Sequence, residues 1–263
     1  MADTHAPNRS ARYRRLRVTN LVVGLVHLVQ GVALFVLRGD DVRLPVSVAF
    51  LGDDPLAVTA PATPTIAFHL VVGALTAVFV LFAAADHLLT AGPLRGWYES
   101  MLDRQANIAR WIEYSVSSSI MIVLIVALVG IRDLAAIVAL FAINSAMILF
   151  GLVMERRESI ADPDMTAFWS GTASGFVPWL LIAYYVASTD NVPTFVYAIT
   201  VVQFVLFWSF GANMWLQYRK KGPWRDYLFA EYAFIILSLA AKTLLAWLVY
   251  ANVLTADARV PGG

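Results

Sequence analysis

Cysteine is absent from this 263-residue chain, which excludes disulfides and thiolate metal centres and says nothing about compartment. Charge is scarce. Only 14% of residues are charged while 60% are hydrophobic, and the mean hydropathy is +0.70. Soluble domains carry about 25% charged residues, so an ordinary soluble domain is excluded and an integral membrane protein is expected. The sequence also lacks an internal repeat, a low-complexity tract, a nucleotide-binding glycine loop, a metal-ligand cluster and a nucleophile with a base beside it. Those absences argue against an enzyme, and nothing points to nucleic acid.

What is present is a series of apolar runs. A spanning helix needs about 20 mostly apolar residues, and runs of that kind occupy 17–37, 64–90, 108–130, 134–154, 166–188, 194–217 and 227–253. The expected fold is an all-α membrane protein, a seven-transmembrane-helix bundle forming one domain over 17–253. A basic segment, 1–16, precedes it and a short tail, 254–263, follows. Arg9, Arg12, Arg14, Arg15 and Arg17 resemble the charged start of a signal peptide. The apolar part behind them is too long for a signal core and has no small-residue cleavage site, so it is read as the first spanning helix.

Lysine and arginine in the loops set the orientation. With the N-terminus inside, fourteen of the nineteen basic residues fall on the cytoplasmic side, Arg38, Arg43, Arg132 and Arg259 fall outside, and Lys242 lies within a span. The expectation is a multi-pass plasma-membrane protein, N-terminus cytoplasmic and C-terminus extracellular. The long outer loop 38–63 reads "RGDDVRLPVSVAFLGDDPLAVTAPAT". Its segments "RLPVSVAF" and "PLAVTA" flank a turn-like "GDDP", which fits a β-hairpin as well as an irregular proline-rich loop. In the fifth run Gly171 and Gly175 have the spacing that lets helices approach closely, within the bundle or in a homodimer, and Pro178 removes a backbone hydrogen bond there.

The chemistry concentrates in the last run, "LSLAAKTLLAWLVY", which carries Lys242 near its middle. An intramembrane lysine costs roughly 2.5–3.5 kcal/mol on the insertion scale. The amine can snorkel, pair with a carboxylate or lose its proton. Snorkelling is weak here, because about 21 Å of helix separates Leu228 from Lys242. The acids inside the runs are Asp86, Glu113 and Glu231, and Glu113 is the deepest. It sits in "RWIEYSVSSSIM", one turn from both Arg110 and Ser117, a polar stripe that faces the bundle interior. A third helix starting at Ile108 leaves Glu113 about 13 Å short of the Lys242 backbone. The lysine side chain leans back along its helix and recovers part of that; the remainder predicts a helix start near Arg104.

Seven helices, a lysine in the last and a carboxylate in the third resemble the retinal-binding rhodopsins. The inward N-terminus, "RWIEYSVSSSIM", "SLAAK" and the long first outer loop resemble the heliorhodopsins, over about residues 15–253. The resemblance implies all-trans retinal bound covalently to Lys242 as a protonated Schiff base, with Glu113 as counterion and Ser238, Ser117 and Arg110 around it. It also implies a polar cytoplasmic cavity lined by His27, Gln30, His87, Arg110 and Glu231, able to hold a proton that leaves the imine. Histidine suits that task because its ordinary pKa is near neutral.

For the polyene slot the expected wall is Tyr114, Ser118 and Met121, then Asn144 and Met147, then Phe207, Phe210 and Met214; Phe207 is placed where pumping relatives commonly have a tryptophan, with Trp208 and Phe210 competing for that place. Pumping relatives commonly carry a second carboxylate one turn before the lysine and a proton donor about three turns beyond the counterion. Ser238 and Leu124 stand at those positions, which favours a light sensor over a pump. The alternatives are a light-gated proton or ion channel and a chromophore-free transporter. The expected partners are the bilayer, a second copy of the chain and an unidentified signalling component.

Overall fold

The computed structural model describes residues 6–38, 42–51, 59, 62–157 and 163–255. Among them are seven helices of 20 to 32 residues: α1 (Ala6–Leu37), α2 (Val72–Ala91), α4 (Ile108–Leu128), α5 (Leu134–Arg157), α6 (Thr166–Ala187), α7 (Thr194–Tyr218) and α8 (Tyr227–Val249). A short helix, α3 (Arg95–Leu102), bridges α2 and α4. Six of the long helices are apolar enough to cross a membrane on length and composition. The exception, α6, is long enough at 22 residues but is diluted by Gly, Ser, Thr and Pro178. The protein is a multi-pass helical membrane protein. Neighbours in the bundle are α1 with α2, α2 with α4, α4 with α5, α5 with α6 and α7 with α8, and α1 also meets α8.

Several boundaries differ from the sequence expectation. Helix α1 begins at Ala6, so the arginines expected in a separate segment 1–16 are carried on its first turns. Arg9 pairs with Asp103 and Arg12 with Asp226, and Arg17 Nε donates to the Ala91 carbonyl at 2.9 Å. These contacts tie α1 to the α3–α4 connection and to the start of α8. Asp103 is pushed up by burial, but hydrogen bonds from Arg9 and Tyr13 outweigh that and hold its carboxyl below the usual value. Helix α4 begins at Ile108 and not near Arg104, because the Asn107 side chain caps it by accepting from the Arg110 backbone N–H at 3.1 Å. Asp226 caps α8 in the same way through Leu228.

A β-hairpin precedes α2, with its second strand elsewhere than expected. Strand β1 (Arg43–Ala49) pairs antiparallel with β2 (Pro64–Val71), from Arg43 opposite Val71 to Ala49 opposite Pro64. The segment read as helix from residue 64 is therefore extended as far as Val71. The proposed strand "PLAVTA" and the "GDDP" turn lie outside the described residues except Leu51 before the turn and Thr59 within the strand. Val46 of β1 is fully buried against Val123 and Ile137, and the Ser47 N–H donates to the Arg132 carbonyl at 2.9 Å. The hairpin thus seals the end of the bundle opposite the basic N-terminal end. Below it Leu124, Leu245 and Val249 belong to a hydrophobic core cluster.

Gly171 and Gly175 pack inside the chain. A methyl on Gly171 would lie 3.0 Å from Phe150 Cβ, and one on Gly175 2.2 Å from Met147 Sδ, so both glycines let α6 approach α5.

Candidate functional site

Lys242 and Glu113 meet in the interior. Lys242 Nζ lies 3.3 Å from Glu113 Oε2 and donates to Ser238 Oγ at 2.7 Å, and it stands 4.9 Å from the Tyr114 ring centre. All four side chains are buried. The contact forms although α4 starts no earlier than Ile108, so the extra turn expected from the depth argument is unnecessary. Glu113 Oε1 and Ser117 Oγ have no hydrogen-bond partner among the described residues. Ser117 is therefore beside Glu113 on α4 without bonding to it or to Lys242.

Arg110 was expected near this pair and is engaged elsewhere. Its guanidinium forms ion pairs with Glu231 of α8 and Glu155 of α5, and it lies 4.0 Å over the Phe234 ring. Glu155 also accepts from Trp111 Nε1 at 2.7 Å and from the Asn107 N–H at 2.8 Å. Glu231 accepts from Asn107 Nδ2 at 2.6 Å and from the Tyr98 hydroxyl at 3.3 Å. Tyr98 is within 3.5 Å of Asn20 Nδ2, and Asn20 Oδ1 is 2.7 Å from His87 Nδ1. His87 stacks on His27 with ring centres 5.8 Å apart. Both ring nitrogens of His27 lack a partner among the described residues.

The result is a buried polar chain from His27 through His87, Asn20, Tyr98, Glu231 and Arg110 to Glu155. It joins α1, α2, α3, α8, α4 and α5 in the half of the bundle at the basic end. His27, His87, Glu231 and Arg110 are brought together by it. Gln30 is not part of it: its Oε1 accepts from Thr243 Oγ1 at 3.0 Å. Asn20, Tyr98, Asn107 and Glu155 were missed by the sequence reading. Glu155 was placed in a loop because the fourth run was ended at Met154, whereas α5 continues to Arg157.

Beside the Lys242 amine opens a cavity enclosing about 910 Å³ of non-atom space, its open mouth included. Tyr114, Ser118, Met121, Met147, Phe207, Phe210 and Met214 line it, and so do Ser238 and Lys242. Trp208 lines it together with Phe207 and Phe210, so the three candidates do not exclude one another. Asn144 does not reach the cavity. It stands behind the wall, donating to Ser118 Oγ at 2.9 Å and Ser119 Oγ at 3.0 Å. Additional wall comes from Trp111, Phe168, Trp179 and Phe234, aromatic residues that composition alone could not separate from ordinary core. Two cross-helix bonds brace the site: Gln203 Nε2 to the Ala241 carbonyl at 3.1 Å and the Tyr114 hydroxyl to the Phe234 carbonyl at 2.9 Å.

An aromatic-walled slot that ends at a buried amine, with a carboxylate beside the amine and one carboxylate oxygen unpaired, suits an apolar polyene aldehyde. The residues present fit retinal. Fold and site together define a multi-helix membrane protein with an internal chromophore-type pocket. The sequence model of the heliorhodopsins matches residues 16–254, nearly the whole chain, and the chain belongs to that family. The family is one of retinal-binding, light-sensing membrane proteins that are generally not enzymes. No match was found among the curated proteins.

Proposed function

We propose that the protein is a light sensor that binds all-trans retinal as a protonated Schiff base of Lys242, with Glu113 as the single counterion. The observation that carries this reading is the Lys242 amine, 3.3 Å from Glu113 Oε2, at the wall of an aromatic-lined apolar cavity. Lys242 Nζ would hold the chromophore by condensing with its aldehyde carbon, the aldehyde oxygen leaving as water, and the lysine nitrogen would keep a proton. When bound, retinal supplies a light-driven isomerisation next to that nitrogen. Glu113 would offset the cation between buried side chains, where an unpaired charge is costly. Ser238 Oγ accepts from the lysine nitrogen and orients it.

A proton released at Lys242 has acceptors toward the basic end. Among the described residues both ring nitrogens of His27 lack a partner, so a neutral His27 offers one acceptor nitrogen; it stacks on His87, which contacts Asn20, and Asn20 and Tyr98 lead on to Glu231. Toward the hairpin end Leu124, Leu245 and Val249 are fully buried in a hydrophobic cluster, which supports sensing over pumping or conduction. The loop charges support a cytoplasmic N-terminus and an extracellular hairpin and C-terminus. Signalling then passes from a homodimer to a partner at one of the two faces.

Adding all-trans retinal to the purified chain tests the reading. A visible absorption band is expected to form and to be missing in Lys242→Ala. A photocurrent under voltage clamp would instead favour a channel.

A further inference from the structure

Gln203 of α7 is fully buried within an apolar span, and only half of its carboxamide is used. Its Nε2 donates to the Ala241 carbonyl of α8 at 3.1 Å, while its Oε1 has no hydrogen-bond partner among the described residues. Thr200 Oγ1, one turn earlier on α7, has none either. A second amide on the same helix differs. Asn213 Nδ2 donates to the Ala230 carbonyl at 3.1 Å, and Asn213 Oδ1 accepts from Trp224 Nε1 at 2.6 Å. Asn213 is thus a satisfied staple between α7 and α8. A buried polar atom without a partner is costly, and an apolar side chain of the same size at position 203 would avoid that cost. The single bond that Gln203 makes is what its presence has to explain.

That bond falls on the peptide unit joining Ala241 to Lys242. Both residues line the cavity, and so do Phe207, Phe210 and Met214, which follow Gln203 along one face of α7 at helical spacing. Ser238, which accepts from the lysine nitrogen, rides on the same helix as the lysine, and Glu113 belongs to α4. Neither fixes the lysine relative to the aromatic face of α7. Among the described residues, Gln203 supplies the one side-chain hydrogen bond from α7 to that turn of α8. A lysine amine ends a flexible four-carbon stem, so its reach depends on where its backbone is held.

We propose that Gln203 is a positioning residue for Lys242: by holding the Ala241–Lys242 peptide against α7, it fixes the width of the slot at its lysine end and keeps the amine within reach of Glu113. The proposal rests on the retinal reading above only for its spectral consequence.

The three lysines of the chain follow Arg219, Lys220 and Ala241. Labelling with carbonyl-13C alanine and 15N lysine therefore marks one directly bonded pair, the Ala241–Lys242 peptide. Solid-state NMR of the purified full chain without retinal reads that carbonyl. Gln203→Met keeps the length of the side chain and removes the donor, and is expected to move the signal upfield. It should also weaken the through-space coupling between lysine Nζ and carboxyl-13C glutamate that the Lys242 and Glu113 contact gives. Asn213→Leu, which removes the other staple, is expected to change neither. In the retinal-loaded protein Gln203→Met should shift the absorption maximum and let the imine lose its proton about threefold more readily, the effect of one average interhelical hydrogen bond. A carbonyl signal unmoved in Gln203→Met, a lysine–glutamate coupling that survives its shift, equal changes in Asn213→Leu, or visible titrations that superimpose would overturn the proposal. Both NMR changes with no visible band on adding retinal would leave Gln203 standing and sink the retinal reading.

Discussion

Lys242 tolerates its place in an apolar helix because Glu113 and Ser238 meet it there. Losing the carboxylate in Glu113→Gln is expected to lower the pH at which the imine gives up its proton and to shift the absorption maximum; an unchanged spectrum and titration would remove Glu113 from the counterion role. Arg110 holds two buried carboxylates at once. Removing one member of such a cluster costs about 3–5 kcal/mol, so Arg110→Gln should lower the thermal midpoint followed by circular dichroism, and an unaltered midpoint would contradict the network. Outside the bundle, Asp103 is held below the usual carboxylate value by Arg9 and Tyr13 against the opposing effect of burial. Its contribution is present above the unfolded pKa of about 3.9 and is lost as pH falls through the lower folded value. Asp103→Asn should therefore flatten the acid limb of a stability titration, modestly because the pair is solvent-exposed; a limb identical to that of the unsubstituted chain would contradict this. Lys242 and Glu113 were legible in the sequence because charge inside an apolar run needs a reason. Asn20, Tyr98 and Glu155 were not, since in the sequence each is an ordinary polar residue at the edge of an apolar run or between runs until another helix faces it.

Close approach between helices is set by glycines whose missing side chains are filled by neighbours. A methyl on Gly151 would lie 2.4 Å from Trp111 Cζ3, a ring pinned by Glu155, whereas one on Gly175 meets the flexible thioether of Met147. Overpacking costs about 1–3 kcal/mol, and Gly151→Ala is expected to lower the unfolding midpoint more than Gly175→Ala. The reverse order would contradict the packing described for α4 and α5. Element boundaries were the least legible part of the fold. "PTIAFHLV" runs without a polar break into α2, and a short apolar run does not reveal whether it is strand or helix. The pairing with β1 decides it, a tertiary contact that the sequence does not display. Helix α3 was missed for a related reason: it is short and polar, and its buried face of Tyr98, Met101 and Leu102 shows only when α1 and α8 are placed against it.

At the scale of the whole molecule, bundle and membrane placement were legible because seven apolar runs in a charge-poor chain have few alternatives to spanning a bilayer. The basic end gathers α1, α3 and the start of α8, and the hairpin caps the other. Because the chain has no native cysteine, orientation can be read with single replacements. Thr65→Cys on the hairpin should react with an impermeant thiol reagent on intact cells and Lys221→Cys only after lysis; the opposite pattern would invert the proposed topology. On the proposed reading, the hydrophobic hairpin-side core and the polar basic-side chain make the basic end the direction in which a proton would leave Lys242. All of this depends on where the chromophore is attached. The most direct measurement is borohydride reduction of the retinal-loaded protein followed by peptide mass analysis. The account predicts a retinyl adduct on the peptide containing Lys242; an adduct on another lysine, or a visible band with no covalent adduct, would contradict it.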